Sequence, residues 1–418
     1  MQLEIKINGS SDSKSHFITW APANCQIRLT DAGGAANPVR LKLKNREPVT
    51  AGKVNFRTDN GGVIQPPTPE LQLDLPVDGT PIDFFVAGDY PHASINGQDA
   101  AIEVVDSNNT VLFTVPLMVR IRKNAEKLTM EERILYLDTL SKLKTSGMFD
   151  LFRNIHKGVN DIWTEIHTNI SFLVWHRAFI LHYERELQNI NPNVSLPYWR
   201  FDELTENVFT KDFMGKTTAG NLMPEFSQTN PLFFWKVEGD EILRQREARN
   251  INNQDDTFNL GNVEGIINFR NFSSMEWNPH NPAHTSMGGW LTSSKSSWDP
   301  LFYMLHCNVD RLWARWQKLF QKFDVNNTGA YPNLGMAGDP GADRIGRNLK
   351  DTLWPWNGDM TAPRPNTAPG SGDGFPLTAT APAPSTNTPT LEEMIDYDGK
   401  FNLTSRLGYD YDDINDPR

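Results

Sequence analysis

Six of the nine histidines in this 418-residue chain fall into two triplets, one on each side of its middle. The triplets are His156, His167 and His176, and His280, His284 and His306. Neutral imidazole suits copper, zinc, iron and nickel, whereas a soft site would need Cys or Met at similar spacing, which neither triplet has. The pattern therefore predicts two metal ions, and it requires a fold that brings distant segments together.

Each triplet adjoins sequence with helical periodicity. The stretch SFLVWHRAFILHYERELQNI carries His176 and predicts one long helix. His167 lies nine residues earlier and is out of phase on a continuous helix, so it must precede that helix if both bind one metal. His280 and His284 are four residues apart and predict a shared helical face, with Pro279 and Pro282 suited to its first turn.

The last histidine of the second triplet, His306, lies in the amphipathic stretch LFYMLHCNVDRLWARWQKLF. Asp310 follows one helical turn later, where it is placed to orient a ligand ring. A lone histidine beside apolar residues is more often a hydrogen-bonded core residue than a ligand. The prediction of metal sites therefore rests on the whole set of six.

The sequence around both triplets resembles the two copper sites of the tyrosinase and polyphenol oxidase family. FLVWHRAFILHYERELQ, preceded by His167, resembles the first site, and MEWNPHNPAH followed by WDPLFYMLHCNVDRLWARWQ resembles the second. LPYW at Leu196 to Trp199 and LGYDYD, with Tyr409 and Tyr411, are similar to two further motifs of the family. The similarity runs from about Leu128 to about Phe320, roughly half the chain.

The resemblance implies a type-3 centre of two copper ions, bound by the six histidines inside a four-helix bundle. It also implies dioxygen and a small phenol as reaction partners, with oxidation to ortho-quinones. A tyrosinase hydroxylates monophenols as well, whereas a catechol oxidase accepts only diphenols. Two other classes remain as alternatives. One is a haemocyanin-like oxygen carrier, and the other is a zinc hydrolase, because three histidines and an open position also suit zinc.

The resemblance extends to residues around the metals. Glu276 stands where the family has a glutamate that holds a water able to act as a base, and Asn281 stands where it can hold the other side of that water. Thr285 follows His284, at a position associated with the tuning of activity. Ser293 corresponds to a gate residue over the first copper that is often larger in relatives.

Three positions depart from the family pattern. Glu165 replaces the cysteine that many members link to the second histidine, so no such crosslink is expected. Leu305 replaces the first member of a frequent histidine pair, which leaves His306 as the ligand. Arg200 follows PYW where an Asp or Asn is common, with Asp202 as the nearby carboxylate.

Composition limits the partners. A formal net charge of −11 argues against nucleic acid and anionic membrane surfaces. The chain has only Cys25 and Cys307, so no disulfide framework is expected. No apolar run reaches membrane-spanning length, and the N-terminus lacks an apolar signal core. We therefore expect a cytoplasmic protein, unless a leader was removed from a secreted form.

Two domains are expected. Residues 1–124 contain about eight β-like runs separated by turn residues, which predicts an antiparallel β-sandwich. Residues 125–418 are expected to form the mainly α-helical, tyrosinase-like catalytic domain, beginning with a capping box at Thr129 and Glu132. A Pro-, Gly- and Thr-rich loop interrupts that domain at about 357–390.

The role of the N-terminal domain has two interpretations. In the first, the sandwich is structural and stabilises the helical domain, since a fold alone does not assign a function. In the second, it shields the active site, as extra domains of family members do by inserting a side chain over the coppers. The loop GDYPHASING offers Tyr90 for that role.

Overall fold

The structure, a computed structural model, describes residues 1–49, 51–158, 166–167, 171–218, 220–244, 268–331, 349–358, 389–402 and 406–414. It divides into two compact units between Ile121 and Arg122. Unit 1 contains Met1–Ile121 and the C-terminal segment from Asp398, and unit 2 contains the helical part. The loop expected at about 357–390 lies almost wholly outside the described residues.

Unit 1 is built from strands. Its strands are β1 Gln2–Ile7, β2 Phe17–Ile18, β3 Ala23–Asp31, β4 Val39–Asn45, β5 Val54–Arg57, β6 Asp59–Asn60, β7 Val63–Ile64, β8 Glu70–Leu75, β9 Ile82–Gly88, β10 Ala100–Val105 and β11 Val111–Val119. One sheet has the order β1-β3-β9-β5 and another the order β2-β11-β10-β4-β8. All eight predicted runs form strands, and the pairs within these two sheets are antiparallel except β2 with β11.

The period-two alternation of unit 1 explains its core. Along β3 and β4, alternate residues are buried, among them Ile27 on one sheet and Leu41 and Leu43 on the other. These side chains belong to one hydrophobic cluster that takes residues from both sheets. Burying one face of each strand leaves charged alternate positions to solvent, as at Arg40.

The C-terminal segment joins this strand-rich unit. The indole Nε1 of Trp20 donates to the carbonyl of Tyr411 at 2.9 Å, and Arg406 donates to the carbonyl of Pro22. The sequence prediction placed this segment in the domain of residues 125–418, because LGYDYD resembles a motif that closes that domain. In the structure the segment belongs to unit 1, and these two hydrogen bonds join it to residues of that unit.

Unit 2 contains the helices and a small hairpin. Its helices are α1 Met130–Thr145, α2 Met148–Gly158, α3 Ser171–Ile190, α4 Phe269–Phe272, α5 His280–Met287 and α6 Leu301–Phe320, and its hairpin strands are β12 Lys236–Val237 and β13 Asp240–Glu241. The predicted capping box is present, because Thr129 accepts from the Glu132 amide and Glu132 accepts from the Thr129 amide. Among the described residues, no helix combines the length and apolar character needed to cross a bilayer.

Candidate metal centre

The first histidine triad forms where α2 meets the start of α3. His156 lies on α2, His176 lies on α3, and His167 precedes α3, as its helical phase required. All three side chains are buried, and one ligand nitrogen from each lies within 4.8 Å of the others. The structure therefore brings together a triplet that spans 21 positions of the sequence.

The second triad joins α5 to α6. His280 and His284 share one face of α5, and His306 lies on α6. The Nε2 atom of His306 is 3.4 Å from the Nε2 atoms of both His280 and His284. Three ring nitrogens thus converge on one point, with a ligand set of neutral donors.

Backbone carbonyls fix the tautomers of three ligands. The Nδ1 of His176 contacts the Phe172 carbonyl at 2.8 Å, and that of His284 contacts the Leu291 carbonyl at 2.7 Å. The Nδ1 of His280 contacts the Glu276 carbonyl at 3.0 Å. A carbonyl only accepts, so each Nδ1 carries the proton and each Nε2 keeps its lone pair for a metal.

These contacts test whether the residues fit a metal. With Nδ1 protonated on His280 and His284, their Nε2 lone pairs both point toward the Nε2 of His306. A single N–H on His306 could satisfy only one of these two lone pairs. In the first triad, the Nε2 atoms of His156 and His176 are buried without a hydrogen-bond partner. Unpaired buried acceptors are costly, and a bound cation satisfies them. Both triads therefore fit a metal ion.

Burial keeps the six imidazoles neutral. It lowers the pKa of His156 to about 3, with His284 and His280 adding to the effect. Burial also lowers the pKa of His284 to about 4, against an opposing contribution from the Leu291 carbonyl. The pKa values of His167, His176, His280 and His306 fall well below the usual value, again chiefly because of burial. All six are in the ligand form at neutral pH.

The two triads adjoin each other. The rings of His176 and His306, one from each triad, stack with centroids 4.2 Å apart and planes 10° from parallel. Phe302, one turn before His306 on α6, lies 4.3 Å from the His306 ring and 4.6 Å from the His156 ring. Two metals held here would be neighbours inside an aromatic shell. Phe302 was not among the site residues predicted from the sequence, although its position four residues before His306 could have indicated a contact with that ring.

A cavity of about 450 Å³ opens onto both triads. The described residues that line it are His156, His167, His280, Asn281, His284, Thr285, Leu291, Thr292, Ser293, Ser294, Ser296, Phe302 and His306. Three residues singled out from the sequence, Asn281, Thr285 and Ser293, are therefore at the cavity. The histidines are the only ionisable side chains among these described residues.

Two predicted catalytic residues flank His280. Glu276 is 4% exposed, and its main-chain carbonyl holds the His280 ring. Asn281 contacts the same Nδ1 through its Oδ1 at 3.0 Å. Because Oδ1 accepts from a ring N–H, the Asn281 Nδ2 group keeps its hydrogens for another acceptor, and the residue lines the cavity. Its contact to the ligand ring was not anticipated from the sequence.

Asp310 does not hydrogen-bond to the ring of His306, which it was predicted to be placed to orient. Its carboxylate accepts from Arg177 at 2.5 Å and from Arg122 at 3.0 Å, while the Nδ1 of His306 is buried without a hydrogen-bond partner. Arg122 also binds Glu184 at 2.6 Å, and all four side chains are buried. The carboxylate one turn beyond the ligand therefore serves a buried charge network, which the sequence prediction missed.

The structure also describes most of the other residues that were singled out from the sequence. Arg200 pairs with Asp202 at 2.5 Å, and Leu305 is buried. Glu165 lies outside the described residues. Tyr90 packs edge-on against Trp20 of unit 1, with ring centroids 5.6 Å apart. The Tyr90 ring therefore packs against the hydrophobic core of unit 1.

Comparison with known proteins identifies the helical part. Residues 146–319 match the family described as the common central domain of tyrosinase. This segment is a tyrosinase-family domain. The family uses two copper ions, and the two histidine triads are residues that could bind them. The matched segment carries both triads, and the family it matches consists of copper-binding oxidoreductases.

The individual relatives include both tyrosinases and hemocyanins. The chain is 28% identical over 268 residues to the tyrosinase of Streptomyces antibioticus, covering 57% of this chain and 93% of that protein. It is 31% identical over 166 residues to the hemocyanin beta-C chain unit D of Helix pomatia, covering 37% and 39%. A solved tyrosinase from Burkholderia thailandensis matches with a TM-score of 0.40 and 17% identity, covering 71% of this chain and 75% of that one.

Proposed function

We propose that this protein is a dioxygen-dependent phenol oxidase that converts ortho-diphenols to ortho-quinones and also hydroxylates monophenols. The observation that carries the proposal is the pair of adjoining triads beside an open cavity of about 450 Å³. An oxygen carrier needs room for dioxygen alone, whereas this cavity has the size of a small-molecule site. The cavity thus favours an enzyme over a haemocyanin-like carrier.

Copper bound at the two triads would supply the redox chemistry with dioxygen. Overall, two diphenols and one dioxygen give two quinones and two waters, so each diphenol loses two electrons and two protons. The protein's part is to bind the ring next to the histidines and to exclude competing water. Phe302 and Leu291 offer the apolar contacts, because both line the cavity beside the ligand rings.

For monophenols, we propose Glu276 as the base and Asn281 as the group that orients a water between them. A monophenol must become a phenolate before its ring can be hydroxylated, so this reaction needs a positioned base more than diphenol oxidation does. Glu276 is buried one turn before His280, and Asn281 follows that ligand directly. General-base catalysis of this kind contributes about 10²- to 10⁴-fold.

Further proposals concern the rest of the molecule. We propose that residues 1–124 form a β-sandwich domain that stabilises the protein, and that the helices from residue 125 onward include a four-helix bundle around the copper site. Support for the first comes from the single hydrophobic cluster built from two sheets. We also propose Ser293 as the gate position, because it lines the cavity.

The test of function is quinone formation from a catechol, measured optically on copper-loaded protein beside zinc-loaded protein. Quinone with copper and none with zinc supports the proposal. Reversible oxygen binding without quinone would identify a carrier instead. If the zinc-loaded protein catalysed hydrolysis and the copper-loaded protein were inactive, the protein would be a zinc hydrolase instead.

The test of the base is Glu276→Gln, compared on a monophenol and a catechol at matched copper content. We expect the monophenol rate to fall by about 10²-fold or more, well beyond the loss on catechol. Glu131→Gln, an exposed residue in the first turn of α1, is the control. Equal losses on both substrates would make Glu276 a structural residue, and a native protein inactive on monophenols would be a catechol oxidase.

A further inference from the structure

One ligand of the second triad is held by a carbonyl from a separate turn. Two of the three carbonyls that fix a ligand tautomer lie four residues before the histidine that they hold. The third belongs to Leu291, seven residues after His284, in the turn Gly289–Thr292. The Nδ1 proton of His284 therefore depends on where this turn is placed.

The segment Leu243–Arg244 places that turn. The amide of Trp290 donates to the carbonyl of Leu243 at 2.9 Å. At Gly289 the two backbones are so close that an added Cβ would overlap the Leu243 carbonyl and lie 2.9 Å from the Cα of Arg244. Because the backbones are in direct contact, a shift of this segment would also move the turn.

The side chain of Arg244 anchors the segment. It is buried, and its Nε and Nη2 atoms donate to the two carboxylate oxygens of Asp299 at 2.8 and 2.7 Å. Its Nη1 atom donates to the carbonyl of Met214. A forked pair of this kind fixes direction as well as distance. The guanidinium thus holds its segment in one orientation against Asp299.

Asp299 in turn begins the helix that carries the last ligand. Its Oδ1 accepts from the amide of Leu301 at 2.9 Å, and its main-chain carbonyl accepts from the amide of Phe302 at 3.0 Å. These are first-turn amides of α6, the helix of His306. One buried ion pair therefore joins the start of α6 to the segment that places the turn beside His284.

We propose that Arg244 is a positioning residue for the second metal site. It keeps the Leu291 carbonyl and the start of α6 in one arrangement, so that the Nε2 atoms of His284 and His306, 3.4 Å apart, face the same metal. Arg244 is not among the described residues that line the cavity, and it acts through Leu243 and Asp299. The inference rests on metal binding at the second triad, whatever reaction follows.

The experiment separates positioning from a general contribution to folding. Arg244→Lys keeps a positive charge beside Asp299 but loses the fork. The substitution is made in two backgrounds, His176→Ala, which leaves only the second triad complete, and His306→Ala, which leaves only the first. The affinity for cuprous ion is measured in each by competition with a chromophoric chelator. A residue that served folding alone would weaken both sites alike.

We expect a selective loss. Arg244→Lys should weaken copper binding about 10- to 100-fold in the His176→Ala background, the usual scale for a group that orients a metal ligand from outside, and leave it unchanged in the His306→Ala background. Arg200→Lys, which breaks another forked pair of unit 2, with Asp202, is the control and should change neither affinity. Equal losses in the two backgrounds, or no loss in either, would overturn the proposal.

A second readout needs neither copper nor a phenol. NMR of the ring nitrogens in metal-free protein reports which one carries the proton. In Arg244→Met, His284 should lose its fixed Nδ1–H form, whereas His176 should keep it. If the buried Asp299 carboxylate, left unpaired, prevents folding, Arg244→Met combined with Asp299→Asn removes that charge and keeps an acceptor for the Leu301 amide. An unchanged His284 tautomer in either folded variant would contradict the proposal, irrespective of whether quinone forms.

Discussion

At the scale of single residues, the metal centre depends on where each histidine proton is held. Backbone carbonyls of Phe172, Glu276 and Leu291 hold Nδ1 on three ligands, which leaves Nε2 for the metal. A carbonyl cannot be removed by a side-chain substitution and does not titrate. The ligand geometry is therefore fixed by the helices themselves, and only replacing the imidazole removes a donor.

The first prediction removes one donor from each triad. His176→Ala and His306→Ala should each abolish phenol oxidation and lower the copper content per chain, because a three-ligand site loses one ligand. His92→Ala is the matched control, since that histidine of unit 1 is exposed and its ring contacts the Asp89 carbonyl rather than the candidate metal ligands. Full copper content and normal turnover in both ligand variants would contradict the two-site assignment.

At the scale of elements, local sequence patterns predicted the individual strands and helices but not the distant residues that they contact. The strand runs, the capping box and the helices around His176 and His306 were predictable because periodicity and caps are local. The partners of Asp310 were not, since Arg177 and Arg122 lie 133 and 188 positions away in sequence. The same holds for the His176–His306 stack, which depends on how α3 packs against α6.

The second prediction concerns this buried charge network. Asp310→Asn leaves the Arg122 and Arg177 guanidinium groups with less compensation inside unit 2, and it should lower the unfolding free energy by about 3–5 kcal/mol. Asp138→Asn breaks an exposed ion pair with Lys142 and should cost about 0.5 kcal/mol or less. Urea denaturation of both variants measures the contrast. Similar losses would mean that the network contributes no more than a surface pair.

The third prediction concerns the turn Gly289–Thr292, of which Leu291 and Thr292 line the cavity. Gly289 has a φ of +57°, and a Cβ there would overlap the carbonyl of Leu243, which accepts from the Trp290 amide at 2.9 Å. Gly289→Ala should therefore destabilise this turn and raise KM for phenols. Gly147 also has a positive φ, of +84°, but a Cβ added there would meet no other atom within 4 Å, so Gly147→Ala is the control. Measuring Tm and KM for both variants separates the effect of the Cβ overlap from that of backbone strain. If both variants changed Tm and KM equally, the overlap with Leu243 would not be the cause.

At the scale of the whole molecule, six neutral histidines, five of them buried, make the metal-free protein sensitive to acid. In the unfolded chain a histidine has a pKa of about 6.5, whereas in the folded chain the pKa of His156 falls to about 3 and that of His284 to about 4. Between these values the unfolded state binds more protons. The unfolding free energy must therefore decrease as the pH falls from about 6.5 toward 4.

The fourth prediction follows from that linkage. Chemical denaturation of metal-free protein should show the unfolding free energy dropping over this pH interval, and removing one of these low-pKa groups by His156→Phe should flatten the slope. His92→Ala, at an exposed histidine outside the triads, is the control. A slope identical in the native and His156→Phe proteins would mean that His156 is not a buried neutral group.

The most direct measurement is a copper titration of metal-free protein, followed at each step by the rate of quinone formation from a catechol. Two adjoining triads predict a rate that stays low at one copper per chain and reaches its plateau at two. If the protein bound two copper ions per chain and formed no quinone, it would not be an oxidase. If it reached full activity at one copper ion per chain, the centre would not be binuclear.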